Sequence, residues 1–427
     1  RDALKMSMAS SPARRHNLSR KWKFLFVFGE EWNMANDEAI DNHARLARLI
    51  RFLGHDPSNE SLLQDAISLA IETGDAAAMR PLCDHLAAVT VTDSSIAAQA
   101  VYLMLASSQF PAAVAMGEQA IAGGITDPAV IFNTACAHFY SGNFEAASSL
   151  LASLTVQEDC PIDALLIHAR ALHHEGKLED AAAMAEKAHD RGVAPPEVSG
   201  VLALLRYETG HPSKALELAY EALALDPQQL DALIACASAN FELGSIEQAR
   251  KAWLHTVDAH PDCGRAWSGL AELEFSEMEF ESAEEHLGIA VNLMADHIGT
   301  WHMLGWIYIL KSDSARARSA FEQAYDLDRN FGETHGGLAI ADVMEEKMEQ
   351  ARMGIRRALR LNPECLSARF AEMLILQQEG KRKEAEALVN KVLEGPAPVG
   401  SSTRKALIEG WLSKHQSNIV APPPGQH

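Results

Sequence analysis

Apolar side chains recur along this chain with the spacing of one helix face, and the whole hydrophobic pattern repeats every 34 residues. One position of the repeat is alanine nine times in succession: Ala113, Ala147, Ala181, Ala215, Ala249, Ala283, Ala317, Ala351 and Ala385. A position twelve residues earlier is small in seven repeats: Ala135, Ala169, Ala203, Ala237, Ala271, Gly305 and Ala339. Small residues on both segments let two helix backbones approach closely, so the pattern predicts an array of paired helices.

Glycine and proline mark the ends of the predicted helices. With the repeats counted from residues 60, 94, 128 and onward, position 15 is glycine in six of them: Gly74, Gly142, Gly176, Gly210, Gly244 and Gly380. Glycine adopts the left-handed conformation that ends a helix, so the first helix of each pair is expected to stop there. Proline at position 32, as in Pro227, Pro261 and Pro363, is expected to end the second helix.

The clearest repeat contains these residues in order: Trp301, Leu304, Gly305, Tyr308, Ala317, Phe321 and Ala324. This order resembles the tetratricopeptide repeat, whose pattern is W-x2-L-G-x2-Y followed by Ala, Phe and Ala. The resemblance implies an all-α fold, a right-handed superhelical α-solenoid of about ten helix-turn-helix repeats with a C-terminal capping helix. The repeats are predicted to start at residues 60, 94, 128, 162, 196, 230, 264, 298, 332 and 366.

The remaining segments are assigned by their lack of fit to this register. Residues 1–33 are expected to be a non-repeat segment, either an upstream extension or a disordered arm. An amphipathic N-terminal helix is predicted within residues 34–59, and ten repeats within 60–399. A capping helix is expected at 400–416, followed by a disordered proline-rich tail at 417–427.

The chain is acidic, with a formal net charge of −21. Residues 1–33 contain seven Lys or Arg and three Asp or Glu, which gives +4, so the rest of the chain carries −25. Such a surface disfavours nucleic acid as a partner and favours a basic or neutral protein segment. The alternative interpretation is that the acidity serves solubility alone.

Six dispersed cysteines without a C-x-x-C pair, and no long apolar run, predict a cytoplasmic protein that does not insert into a membrane. Heavy use of alanine, and of arginine over lysine, favours a bacterial origin.

The sequence contains few candidate catalytic or metal-binding residues, and we predict neither catalysis nor a cofactor or metal. The adjacent His173 and His174 lack acidic or cysteine partners in sequence and are expected to be packed or solvated. His255, His260 and Cys263 lie near one turn but lack an evident fourth zinc ligand. The predicted repeats occupy nearly all of residues 60–395, which leaves no room for a catalytic domain.

The resemblance implies that the first helices line a concave groove, chiefly through positions 2, 5, 9, 12 and 13. Arg170 is expected to be an isolated base, and Trp306, Ile340 and Phe370 are expected to be exposed. The residues around Asn133 do not match the clamp with which some co-chaperones bind a carboxylate. The candidates for partner binding are mainly apolar or aromatic: Phe132, Asn133, Tyr140, Leu204, Tyr207, Ile234, His302, Trp306, Ile340, Phe370 and Leu374.

The predicted function is a non-catalytic scaffold or adaptor for protein–protein interaction, which binds a partner segment in this groove. The alternative is a regulatory or targeting subunit of a separately encoded enzyme, or of an envelope or secretion assembly.

Overall fold

The computed structural model describes residues 36–74, 76–192 and 194–394. Within these ranges it contains 21 α-helices and no strand. The helices are α1 Asn36–Leu53, α2 Glu60–Thr73, α3 Ala76–Leu86, α4 Ser94–Ala106, α5 Phe110–Ala122, α6 Pro128–Tyr140, α7 Phe144–Thr155, α8 Ile162–His174, α9 Leu178–His189, α10 Pro196–Glu208, α11 Pro212–Leu225, α12 Leu230–Glu242, α13 Ile246–Ala259, α14 Gly264–Ser276, α15 Phe280–Leu293, α16 Ile298–Leu310, α17 Ser314–Leu327, α18 Gly332–Met344, α19 Met348–Leu361, α20 Leu366–Gln378 and α21 Arg382–Glu394.

From α2 onward the helices alternate as the first and second members of helix-turn-helix repeats, and the first helices start at intervals of 34 residues. The prediction of an all-α helical-repeat solenoid is confirmed. The predicted capping helix at 400–416, the tail at 417–427 and the segment 1–33 lie outside the described residues.

The chain divides into two compact units, which among the described residues comprise 36–259 and 260–394. In the first unit, Leu46 and Leu53 of α1 are buried in one core with Leu82 and Leu86 of α3. The N-terminal helix therefore covers the apolar side of the first repeat. In the second unit, Phe321 of α17 is fully buried at the centre of the core.

The nine alanines at position 20 are all buried, in agreement with a close crossing between the two helices of each repeat. Glycine allows the closest packing around Phe321. A Cβ atom added at Gly305 would lie 2.7 Å from the Phe321 ring, and one added at Gly337 would lie 2.5 Å from it. The small positions of the repeat therefore make room for one large aromatic side chain.

Position 15 has a left-handed backbone in all ten repeats, with φ between 57° and 85°. Glycine occupies it in six repeats, but Ser108, Met278, Ser312 and Glu346 occupy it in the other four. The chain must reverse between the two helices within a few residues, and this geometry imposes the conformation even on residues that disfavour it.

Candidate functional site

Two contacts join side chains that lie two repeats apart. In the first unit, Arg170 of α8 donates from Nη2 to Oδ2 of Asp231 in α12, at 2.6 Å. In the second unit, the rings of Trp306 in α16 and Phe370 in α20 are 5.5 Å apart between centroids. Side chains can span an intervening repeat only where the first helices converge, so each contact marks the inner side of its own unit.

The intervening first helix has a glycine at position 5 in both cases. A Cβ atom at Gly200 of α10 would lie 2.1 Å from Gln229 Oε1, which accepts the backbone N–H of Ala232 at 2.6 Å. A Cβ atom at Gly336 of α18 would lie 2.6 Å from the backbone nitrogen of Ala368. The missing side chain lets the next first helix approach closely, and this approach brings the two contacts within reach.

The second unit presents an uncharged surface, which we call the apolar inner face: Trp306, Phe370 and Leu374. All three side chains are half-buried and pack against the core that contains Ile340 and Ile375. Part of each side chain is therefore held by the fold, and part remains accessible to a partner.

The expectation that Ile340 is exposed in the groove is wrong, because it is fully buried. Ile340 lies in the repeat between those of Trp306 and Phe370. Both rings pack against the core that contains Ile340. Leu204 has the corresponding position between Arg170 and Asp231 and is also buried.

Three other groove candidates are buried for individual reasons. Asn133 donates from Nδ2 to the carbonyl oxygen of Ala98 at 3.0 Å, which joins two neighbouring first helices. His302 pairs with Thr334 Oγ1 through Nε2 at 2.8 Å, and burial lowers its pKa to about 4. Ile234 of α12 is part of the buried interior of the first unit. These residues stabilise the array and present little surface to a partner.

The first unit presents a different surface, which we call the acidic inner face. Its accessible residues lie on α6, α8, α10 and α12 and combine aromatic rings with charges: Phe132, Tyr140, Asp163, Arg170, Glu197, Tyr207 and Asp231. The predicted candidates Phe132, Tyr140 and Tyr207 are half-buried here. The charged members were not singled out as a group from the sequence, although the 34-residue spacing of Asp163, Glu197 and Asp231 is a visible signal.

Arg170 forms an ion pair with Asp231. Burial alone would raise the pKa of Asp231, but the charge and hydrogen bond of Arg170 outweigh burial and hold that pKa below its usual value. Burial raises the pKa of the neighbouring Tyr140 to about 12, so its hydroxyl stays protonated near neutral pH. This part of the face therefore has fixed protonation states.

Aromatic rings continue this surface toward the turns of the repeats. Tyr140 stacks on Phe110 with 5.6 Å between ring centroids, and His174 stacks on Phe144 at 4.0 Å. His173 contacts Glu208 Oε2 through Nε2 at 2.5 Å. The two adjacent histidines are thus packed and paired, as one of the two sequence interpretations expected.

Comparison with known families agrees with this architecture. Three family models, each described as a tetratricopeptide repeat, match residues 132–193, 206–273 and 298–331. The chain is a tetratricopeptide repeat protein. The matched segments contain Arg170, Asp231 and Trp306, whereas Phe370 lies outside them.

Two curated human proteins show distant similarity to this tetratricopeptide repeat protein. Protein O-mannosyl-transferase TMTC1 of Homo sapiens is 24% identical over 194 residues, which cover 36% of this chain and 22% of the relative. Protein O-mannosyl-transferase TMTC3 is 27% identical over 109 residues, which cover 25% of this chain and 12% of the relative. The chain thus spans less than a quarter of the length of these relatives.

Solved structures with similar repeats include pilF of Pseudomonas aeruginosa, with TM-score 0.44, 16% identity and coverage of 50% of this chain and 98% of that chain. A tetratricopeptide repeat protein of Parabacteroides merdae has TM-score 0.42 and 16% identity, with coverage of 57% and 96%. YrrB, described as having an unusual peptide-binding site, has TM-score 0.38 and 17% identity, with coverage of 45% and 98%.

Two features of the described residues bear on other classes of function. No described helix has both the length and the hydrophobicity of a membrane-spanning segment. Within the same ranges, no group of three or more His, Cys, Asp or Glu side chains could hold a metal ion. His255, His260 and Cys263 therefore form no metal cluster.

Proposed function

We propose that this tetratricopeptide repeat protein is a non-catalytic scaffold or adaptor that binds a segment of a partner protein along its inner faces. The observation that carries the proposal is the Trp306–Phe370 pair on the apolar inner face. Two large rings from repeats two apart are brought together at 5.5 Å, yet both stay partly accessible. Clustered aromatic residues on a rigid surface are common anchors for protein segments.

The helices and their short connections also support a binding role. Repeat helices occupy residues 60–394 with only short connections, so the fold is devoted to presenting helix faces. No disulfide bond joins any of the six cysteines within the described residues, which supports a cytoplasmic location as part of the proposal.

Trp306→Leu tests the proposal. Leucine keeps an apolar contact with the core but removes the ring, so we expect the free energy of unfolding to fall by only about 1 kcal/mol. Binding of a partner captured from the native host should weaken by about 2 kcal/mol, or roughly 30-fold. Titration calorimetry and urea denaturation measure the two quantities separately.

The matched control is Met353→Leu, which changes an exposed side chain on the second helix α19 of the same unit. It should affect neither quantity. If Trp306→Leu leaves binding unchanged while the chain remains folded, the apolar inner face is not the binding surface.

The named relatives favour a second candidate function. Both human proteins are named as O-mannosyl-transferases, and this chain matches a minor part of each. On that basis the second candidate is a regulatory or targeting component for a separately encoded enzyme. Co-purification of a mannosyl-transfer activity that is absent from the isolated chain would support this candidate.

A further inference from the structure

The acidic inner face carries more negative charge than its one arginine can neutralise. Positions 2, 5, 9, 12 and 13 of its four first helices hold one arginine and five carboxylates: Arg170, and Asp163, Glu197, Glu208, Asp231 and Glu242. Arg170 is engaged by Asp231 at 2.6 Å, and Glu208 contacts His173 at 2.5 Å. The remaining carboxylates give the acidic inner face a net negative charge.

Asp163 and Glu197 are the centre of this deficit. They occupy position 2 of adjacent first helices, and neither forms an ion pair with any residue in the described part of the chain. Burial, with the nearby negative charge of Glu197 as a second cause, raises the pKa of the Asp163 carboxyl. A cation between these two carboxylates would offset their repulsion and favour their ionised forms.

Arg170 shows which chemistry this face accommodates. Its guanidinium lies between first helices, donates to Asp231, and is attracted electrostatically by Glu197. The fold thus already stabilises one guanidinium on this surface with two carboxylates. The half-buried Phe132 on the neighbouring first helix α6 provides apolar surface, against which the alkyl stem of a lysine or arginine can pack.

We propose that the acidic inner face binds a cationic segment of the partner, with a lysine or arginine side chain seated between Asp163 and Glu197. This inference rests on the proposed function and names the chemistry of the bound segment. The net charge of −21 would attract the same segment over longer range and speed its association.

The probes are two synthetic peptides of equal length, one alternating lysine with leucine and one alternating glutamate with leucine. We expect the lysine peptide to bind the full chain, with an affinity that falls as salt concentration rises. The glutamate peptide should not bind. The double variant Asp163→Asn/Glu197→Gln should weaken binding of the lysine peptide at least about tenfold, as measured by fluorescence anisotropy.

The matched control is Glu179→Gln/Asp180→Asn, which removes two exposed carboxylates from the second helix α9 of the repeat that contains Asp163. It changes net charge by the same amount and should leave the affinity unchanged. Equal weakening by both double variants, or none by the first, would overturn the inference, as would equal binding of the two peptides. Loss of native partner capture in Trp306→Leu, with no dependence on Asp163 and Glu197, would overturn this inference alone and keep the proposed function.

Discussion

Single residues differ in how well they suit the backbone that the repeat imposes. Position 15 is left-handed in every repeat, and a side chain in that conformation costs about 1 kcal/mol relative to glycine. Space is not the reason for glycine there, since a Cβ atom at Gly142 or Gly176 would meet nothing within 4 Å. The backbone conformation alone therefore selects glycine.

Met278→Gly should stabilise the chain by about 1 kcal/mol, because Met278 has a φ of 65° and its exposed side chain contributes little packing. Urea denaturation followed by circular dichroism measures the change. The control is Met353→Gly, at an exposed methionine inside α19, where glycine should destabilise by about 1 kcal/mol. A stability loss in Met278→Gly would show that its side chain contributes more than the strain costs.

His302 gives the second unit an acid-sensitive point. Its pKa is lowered to about 4 by burial, whereas an unfolded histidine titrates near 6.5. As pH falls from about 6.5 to about 4, His302 is protonated in the unfolded chain but stays neutral in the folded chain. The folded state therefore loses stability. The difference of about 2.5 pH units corresponds to about 3 kcal/mol.

His302→Gln should therefore flatten the decline of unfolding free energy between pH 6.5 and pH 4, although it is less stable than the parent at pH 7. Urea titrations at several pH values measure the slope. His255→Gln, at an exposed histidine of α13, controls for the loss of a histidine. An unchanged slope in His302→Gln would show that folding does not lower the pKa of His302.

At the scale of the helices, much of the fold is predictable from the sequence, because small residues recur at the same positions of most repeats. Alanine at position 20 and glycine at position 15 fix where helices cross and where they turn. The inner faces were less predictable, since exposure there depends on how closely successive first helices approach. That approach is set by Gly200 and Gly336, and it covers Ile340 while leaving Trp306 and Phe370 accessible.

Gly336→Ala should separate α20 from α18, because its Cβ atom would lie 2.6 Å from the Ala368 backbone, which cannot move alone. We expect a loss of about 2 kcal/mol in unfolding free energy, and weaker partner binding through a displaced Phe370. Gly288→Ala is the control, since a Cβ atom at this position within α15 meets nothing within 4 Å. That control should be stabilised by up to about 1 kcal/mol. Equal effects of both substitutions would contradict the close-approach argument.

At the scale of the whole chain, the repeats differ in what they present although they share one framework. The inner face of the first unit combines charged residues with aromatic rings, whereas the part of the second unit's inner face around Trp306 and Phe370 is uncharged. The framework residues that they share are small and buried, whereas the residues that differ are partly accessible. Binding specificity can therefore vary between repeats without a change in the stacking that stabilises them.

The stacking of the repeats also predicts how many repeats one destabilising substitution unfolds. Ala317 is fully buried in an inner repeat of the second unit, and Ala385 is buried in the last described repeat. An aspartate at Ala317 buries a charge in a repeat with stacked neighbours on both sides, so Ala317→Asp should cost about 3 kcal/mol or more and unfold much of that unit. Ala385→Asp should instead remove the helical signal of about one repeat and leave the urea midpoint of the rest nearly unchanged. Circular dichroism at 222 nm across a urea titration distinguishes the two outcomes, and equal losses from both variants would mean that the unit unfolds as one block rather than repeat by repeat.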